Sequence, residues 1–139
     1  MNDQITDVLG NQAARSKSLN IDITAAGDIT AGQSGSNLVL KAAAGGQLDL
    51  PTLENGLKYR ITVGQLFATT NWTIVSSTNV IQGHAIVAGA HVAAANENTI
   101  SFVATADSLG DYIDLNCDGT SWFVSGSGIT SGSITFTAP

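Results

Sequence analysis

Asp114-Leu115-Asn116-Cys117-Asp118-Gly119 is the segment whose residue types and spacing come nearest to chemistry. It matches D-x-N-x-D-G, the opening of a calcium loop, in which alternate oxygen-bearing side chains converge on the ion and the glycine permits the sharp turn. The twelfth position of such a loop supplies a bidentate glutamate, and here it is Ser125. The flanks alternate apolar and polar residues as strands do, whereas a helix–loop–helix site needs helices. On a strand, Asp114 and Asn116 form an exposed face and Asp118-Gly119 a tight turn, so no metal ligand is expected among them.

The remaining candidates are weaker. His84 and His91 are the two histidines, seven residues apart, which is not a zinc spacing, and Cys117 cannot complete such a site alone. A hydrolase would need one of these histidines beside a carboxylate or a serine, and no G-x-S-x-G elbow is present. Cys117 shares the alternating face of Ile113 and Leu115 and reads as a small buried hydrophobe. Gly126-Ser127-Gly128 lacks the third glycine and the lysine of a phosphate loop. Trp72, Tyr112, Trp122 and Phe123 are a stacking platform or, as is commoner for such residues, parts of a core or interface. No carboxylate pair suits acid–base work. The chain is therefore read as not an enzyme, with no catalytic residue, cofactor or metal assigned.

Composition narrows the partners. In 139 residues there are 11 acidic and 5 basic side chains, a net charge of −6, and the charged share is 12%. That is about half the usual share of roughly 25%; Thr, Ser, Asn, Gly and Ala fill the gap. The five bases, Arg15, Lys17, Lys41, Lys58 and Arg60, form no cluster, which argues against nucleic acid. No apolar run approaches the ~20 residues of a membrane span. The start, Met1-Asn2-Asp3-Gln4, has no signal-peptide pattern, so assembly in a cytoplasm is expected, with Cys117 unpaired as the one cysteine.

The elements that must position these residues read as β throughout. Residues 1–18 are set apart as a short N-terminal arm, with Ile5, Val8 and Leu9 on one possible helical face, and 19–139 as a single β domain. Leu19–Ala25 alternates until Gly27-Asp28 breaks the run, Leu38–Leu40 and Leu48–Leu50 follow, and Leu57–Val63 is the cleanest half-buried strand, placing Lys58 and Arg60 together on its wet face. Asn71–Ser76, Val80-Ile81, Ala85–Val87, Ile100–Val103, Tyr112–Cys117, Trp122–Ser125 and Ile134–Phe136 complete the set, with Ala88–Ala95 an irregular strand or loop. Asp118-Gly119 predicts a hairpin between two of them, because both residues tolerate positive φ. About nine or ten short strands at this spacing predict an all-β, antiparallel sandwich or barrel. No repeat is periodic enough for a solenoid.

The segments Gly56–Val63, Ala68–Ile74 and Gly110–Val124, the last carrying Gly-Asp-x-Ile-x-Leu-x-x-Asp-Gly-Thr-x-Trp, resemble small virion proteins of tailed bacteriophages. The likeness covers roughly residues 50–137 and is closest to head decoration (cement) proteins, with fibre or spike domains a step behind. It implies a β-rich, non-enzymatic homotrimer on the capsid exterior that clamps neighbouring copies of the major capsid protein. The alternative it leaves open is a tail fibre or spike domain that binds a host-surface receptor or glycan.

Overall fold

The computed structural model describes residues 19–138; the arm at 1–18 lies outside them. Twelve strands run β1 (Asn20–Ile23), β2 (Gly27–Asp28), β3 (Asn37–Leu40), β4 (Gly46–Asp49), β5 (Lys58–Val63), β6 (Trp72–Val75), β7 (Ile81–Val87), β8 (Ala90–Glu97), β9 (Thr99–Phe102), β10 (Tyr112–Cys117), β11 (Trp122–Gly128) and β12 (Ile134–Thr137), with one 3-10 turn at Ala31–Gln33. They form a seven-stranded sheet, β1-β3-β5-β10-β11-β7-β8, and a five-stranded sheet, β12-β9-β6-β4-β2. The all-β architecture expected from the alternation is present, as a two-sheet sandwich with no closed barrel.

The sheets are mixed where antiparallel pairing was expected. β1, β3 and β5 are parallel neighbours, as are β2, β4 and β6. Parallel neighbours need a crossover connection. Here each crossover is a strand of the opposite sheet, so β1 to β6 wind as three coils, one strand per sheet per coil. Alternation reports which face a residue occupies and is silent on which strand lies beside it, so this winding left no mark in the sequence. Gly27-Asp28, read as a break, is β2, paired with Leu48 and Asp49 of β4. The chain then turns antiparallel at β7–β8, β10–β11 and β9–β12, with β7 and β11 the remaining parallel pair.

Two further boundaries shift. Ile81 and Ala85–Val87 belong to one strand, β7, which runs through Gly83 at φ +133°, with Val80 just before it. A Cβ there would run into the Val124 carbonyl of β11, so only glycine lets the strands approach. The Ala-rich stretch is β8, opened by Ala88 and Gly89 at positive φ.

The inward positions of both sheets meet in one core. Leu38, Leu40, Ile61, Ile113, Leu115 and Val124 from the larger sheet face Leu48, Trp72, Ile74, Ile100, Phe102 and Ile134 from the smaller. Leaving Ile74 or Ile100 in water would forfeit about 1.5–3 kcal/mol each. At one side Asn98 alone separates β8 from β9, and its N–H donates to the Thr137 carbonyl, so the sheets join there. At the other side β1 and β2 end their ladders.

Candidate functional site

Two surfaces stand out, one at an end of the sandwich and one on a sheet face. β5, β9 and β11 finish at the same end, and the loops that follow them, residues 64–71, 103–111 and 129–133, are tied together there. Asp111 is buried; its Oδ2 accepts the Ser108 N–H at 3.1 Å and its Oδ1 the Ile129 N–H at 3.2 Å. Asp107 Oδ2 accepts the Phe67 N–H at 2.9 Å, and Phe67 itself plugs the core. The Gly110 N–H donates to Val63 and the Thr105 N–H to Phe67. Burial holds the Asp111 carboxyl above the usual carboxylate range; the two backbone donors pull the other way, and Asp107 adds to the rise.

These locked loops expose large apolar side chains. Leu66 is 52% exposed, Leu109 62% and Ile129 71%, one on each loop. A depression of about 480 Å³ beside Leu66 is lined by Ala43, Phe67, Ala68 and Thr105. Scattered apolar residues on a surface are ordinary, but three on the tied loops of one end single that end out as a candidate interaction surface. Ordering costs little on binding where the backbone is already held.

The second surface is the outer face of the seven-stranded sheet. Cross-strand register lays its side chains in rows: Lys58, Asn116, Phe123 and Gln82 in one, Arg60, Asp114, Ser125 and His84 in the next. Arg60 grips Asp114 through two bonds, Nε to Oδ1 at 2.8 Å and a terminal nitrogen to Oδ2 at 2.9 Å. Its guanidinium also lies 4.3 Å over the Tyr112 ring. The hydrogen bonds to Asp114 raise the Arg60 pKa further. Asn37 accepts from Thr62 and donates to Asn20. Arg60, Asp114, Asn37 and Asn20, with Lys58, Asn116 and Ser125, line a groove of about 630 Å³.

The residues singled out from sequence divide between these surfaces and the core. Asp114 and Asn116 are on the outer face as expected, but Asp114 is engaged by Arg60, a partner 54 residues away in sequence. Asp118 Oδ1 accepts the N–H groups of Thr120 and Ser121 at 2.9 and 2.8 Å, which lowers its pKa and fixes the expected hairpin turn. Ser125 pairs across the hairpin with Asp114. Cys117 is buried beside Leu115 as expected. Trp72 and Trp122 are fully buried, while Tyr112 lies under Arg60 and Phe123 is 45% exposed, so the four aromatics form no common platform. His84 and His91, distant by spacing, meet across β7 and β8 with ring centroids 5.2 Å apart. The sequence offered no sign of this, because their meeting depends on hairpin register. Gly126 lets β11 approach the Tyr112 carbonyl, a packing role. Asp107 and Asp111, which clamp the loop end, carry no sequence-derived role; the signal, a loop carboxylate accepting backbone N–H groups of neighbouring loops and, for Asp111, buried, is visible only in three dimensions.

Compared with protein-family models, curated proteins and solved structures, the chain matches none.

Proposed function

We propose that this chain is a structural virion protein that decorates a phage capsid and stabilises it by bridging subunits of the major capsid protein, working as a homotrimer. The observation that carries the reading is the apolar loop end: Leu66, Leu109 and Ile129 exposed on loops that Asp107 and Asp111 hold in place. A rigid apolar end can dock on a preformed lattice with little loss of conformational freedom. The low charge density fits the same role, since Thr, Ser and Ala faces desolvate cheaply against a neighbour. The sequence resemblance in Gly56–Val63 and Gly110–Val124 supplies the class of particle.

The test uses decoration-free heads. The full chain is expected to cosediment with them and raise their heat resistance. The variant Leu66→Ser/Leu109→Ser/Ile129→Ser is expected to keep its fold, since the three positions are exposed, and to lose most of the binding. A full chain that ignores heads and binds host cells would replace this reading with the fibre alternative. A deletion of residues 1–18 in the same assay reports whether the arm contributes.

A further inference from the structure

We propose that the outer face of the seven-stranded sheet is a binding site for an acidic saccharide, seated in the groove across β5, β10 and β11. This goes beyond the capsid-decoration reading and uses a different surface.

Arg60 is held by Asp114, and Asn37 by Thr62 and Asn20, so these groove-lining side chains are fixed before any ligand arrives. Lys58, Asn116 and Ser125 are exposed, and among the described residues their side chains have no ion pair or hydrogen bond that closes off the Lys58 ammonium, the Asn116 amide or the Ser125 hydroxyl toward the groove. Phe123 stands one strand beyond Asn116 on the same face, its ring 45% exposed. Strands lie about 4.8 Å apart, so Lys58 to Phe123 spans roughly 10 Å. Donors, acceptors and a cation thus line a shallow groove, and an aromatic residue stands beside Asn116 on the next strand of the same face. A sugar ring presents the matching chemistry, hydroxyls around its rim and an apolar C–H face for the ring to cover.

Charge selects the acidic class. The chain carries a net charge of −6, yet two of its five basic residues project from adjacent positions of this one face. Asp114 neutralises Arg60, which leaves Lys58, unpaired among the described residues, as the cation of this face for a carboxylate or sulfate. Nucleic acid fits poorly, because phosphate-backbone binding needs several unpaired cations and Asp114 sits among them. An extended peptide fits poorly too, because the backbone groups of β5, β10 and β11 are consumed by the ladders on both sides.

The full chain is applied to a printed glycan array carrying sialylated, uronate-containing, sulfated and neutral oligosaccharides, and retained glycans are measured by calorimetry at low and high salt. Retention of acidic glycans is expected, weakening with salt as an exposed ion pair must. Lys58→Ala and Phe123→Ala are each expected to bind about tenfold more weakly or worse. Both positions are exposed, so the fold should survive. Saturation-transfer NMR on the unaltered chain gives an independent reading, with transfer expected from aromatic protons to the sugar. Retention of no glycan, retention of neutral glycans alone, or both variants binding like the parent overturns the proposal. The Leu66→Ser/Leu109→Ser/Ile129→Ser variant is expected to bind glycans normally, and the Lys58 and Phe123 variants to bind heads normally, so failure here and failure of the decoration reading are told apart.

Discussion

Asp111 shows how one side chain can govern a surface it does not itself present. Its carboxylate accepts the backbone N–H groups of Ser108 and Ile129, and so joins two of the three loops of the apolar end. Replacing it with alanine leaves both donors short of an acceptor, and Asp111→Ala is expected to cost about 1–3 kcal/mol in urea unfolding at pH 7. The pH dependence should have an unusual sign. Burial raises the folded-state pKa above the unfolded value of about 3.9, so the folded chain takes up the proton first. The penalty for a buried charge is present in full above the folded pKa and disappears as the pH falls through it toward about 4. The stability advantage of the parent over Asp111→Ala should therefore widen between pH 7 and pH 4. A narrowing gap would mean that the two backbone donors outweigh burial. At this scale the sequence exposed faces but not partners. It placed Lys58 and Arg60 outside and Cys117 inside, yet gave no sign that Arg60 meets Asp114 or that His84 meets His91, because each meeting is set by strand register.

Among the elements, the hairpin of β10 and β11 was legible and the coil of β1 to β6 was not, for a physical reason. A hairpin is specified locally: Asp118 supplies the carboxylate that two following N–H groups seek, and Gly119 the positive φ. Parallel strands across a crossover have no local determinant, and β2, two residues long, carries no alternation at all. Gly83 is a strand residue that lets β7 lie against β11. This separates two kinds of glycine by experiment. Gly83→Ala combines a positive φ with a Cβ driven into the Val124 carbonyl, and should destabilise by about 3 kcal/mol. Gly89→Ala, at φ +82° with nothing near the added methyl, meets only the backbone penalty of about 1–2 kcal/mol. Urea midpoints at constant slope give both values. Equal losses would mean that the β7–β11 contact yields to the methyl.

The whole molecule has one joined side and one open side, and the open side bears on assembly. Where β8 passes into β9 the sheets are tied, but β1 ends the larger sheet. The Asn37 N–H bonds to the Leu19 carbonyl and the Lys41 N–H to that of Ile23, so odd-numbered residues of β1 face β3. Asn20 and Asp22 consequently direct their backbone groups away from the sheet, where no partner lies among the described residues. Edge strands are commonly guarded by charge or proline, and here Asp22 is the one charged residue on β1. Such an edge can accept a strand from a neighbouring copy, which makes it the first place to test for the self-contact of the proposed trimer. Asp22→Pro removes the outward N–H and no bond to β3, and proline is tolerated on an edge. The far-ultraviolet spectrum of the variant is expected to match that of the parent, and its urea midpoint to be independent of concentration. Light scattering is the deciding measurement. The parent is expected at three times the mass of the chain, with a melting temperature that rises with concentration, and the variant at the mass of one chain with no such rise. A trimer that survives Asp22→Pro would move the self-contact away from β1, to the β2 edge or to side-chain faces, and a monomeric parent would remove the trimer from the proposed function altogether.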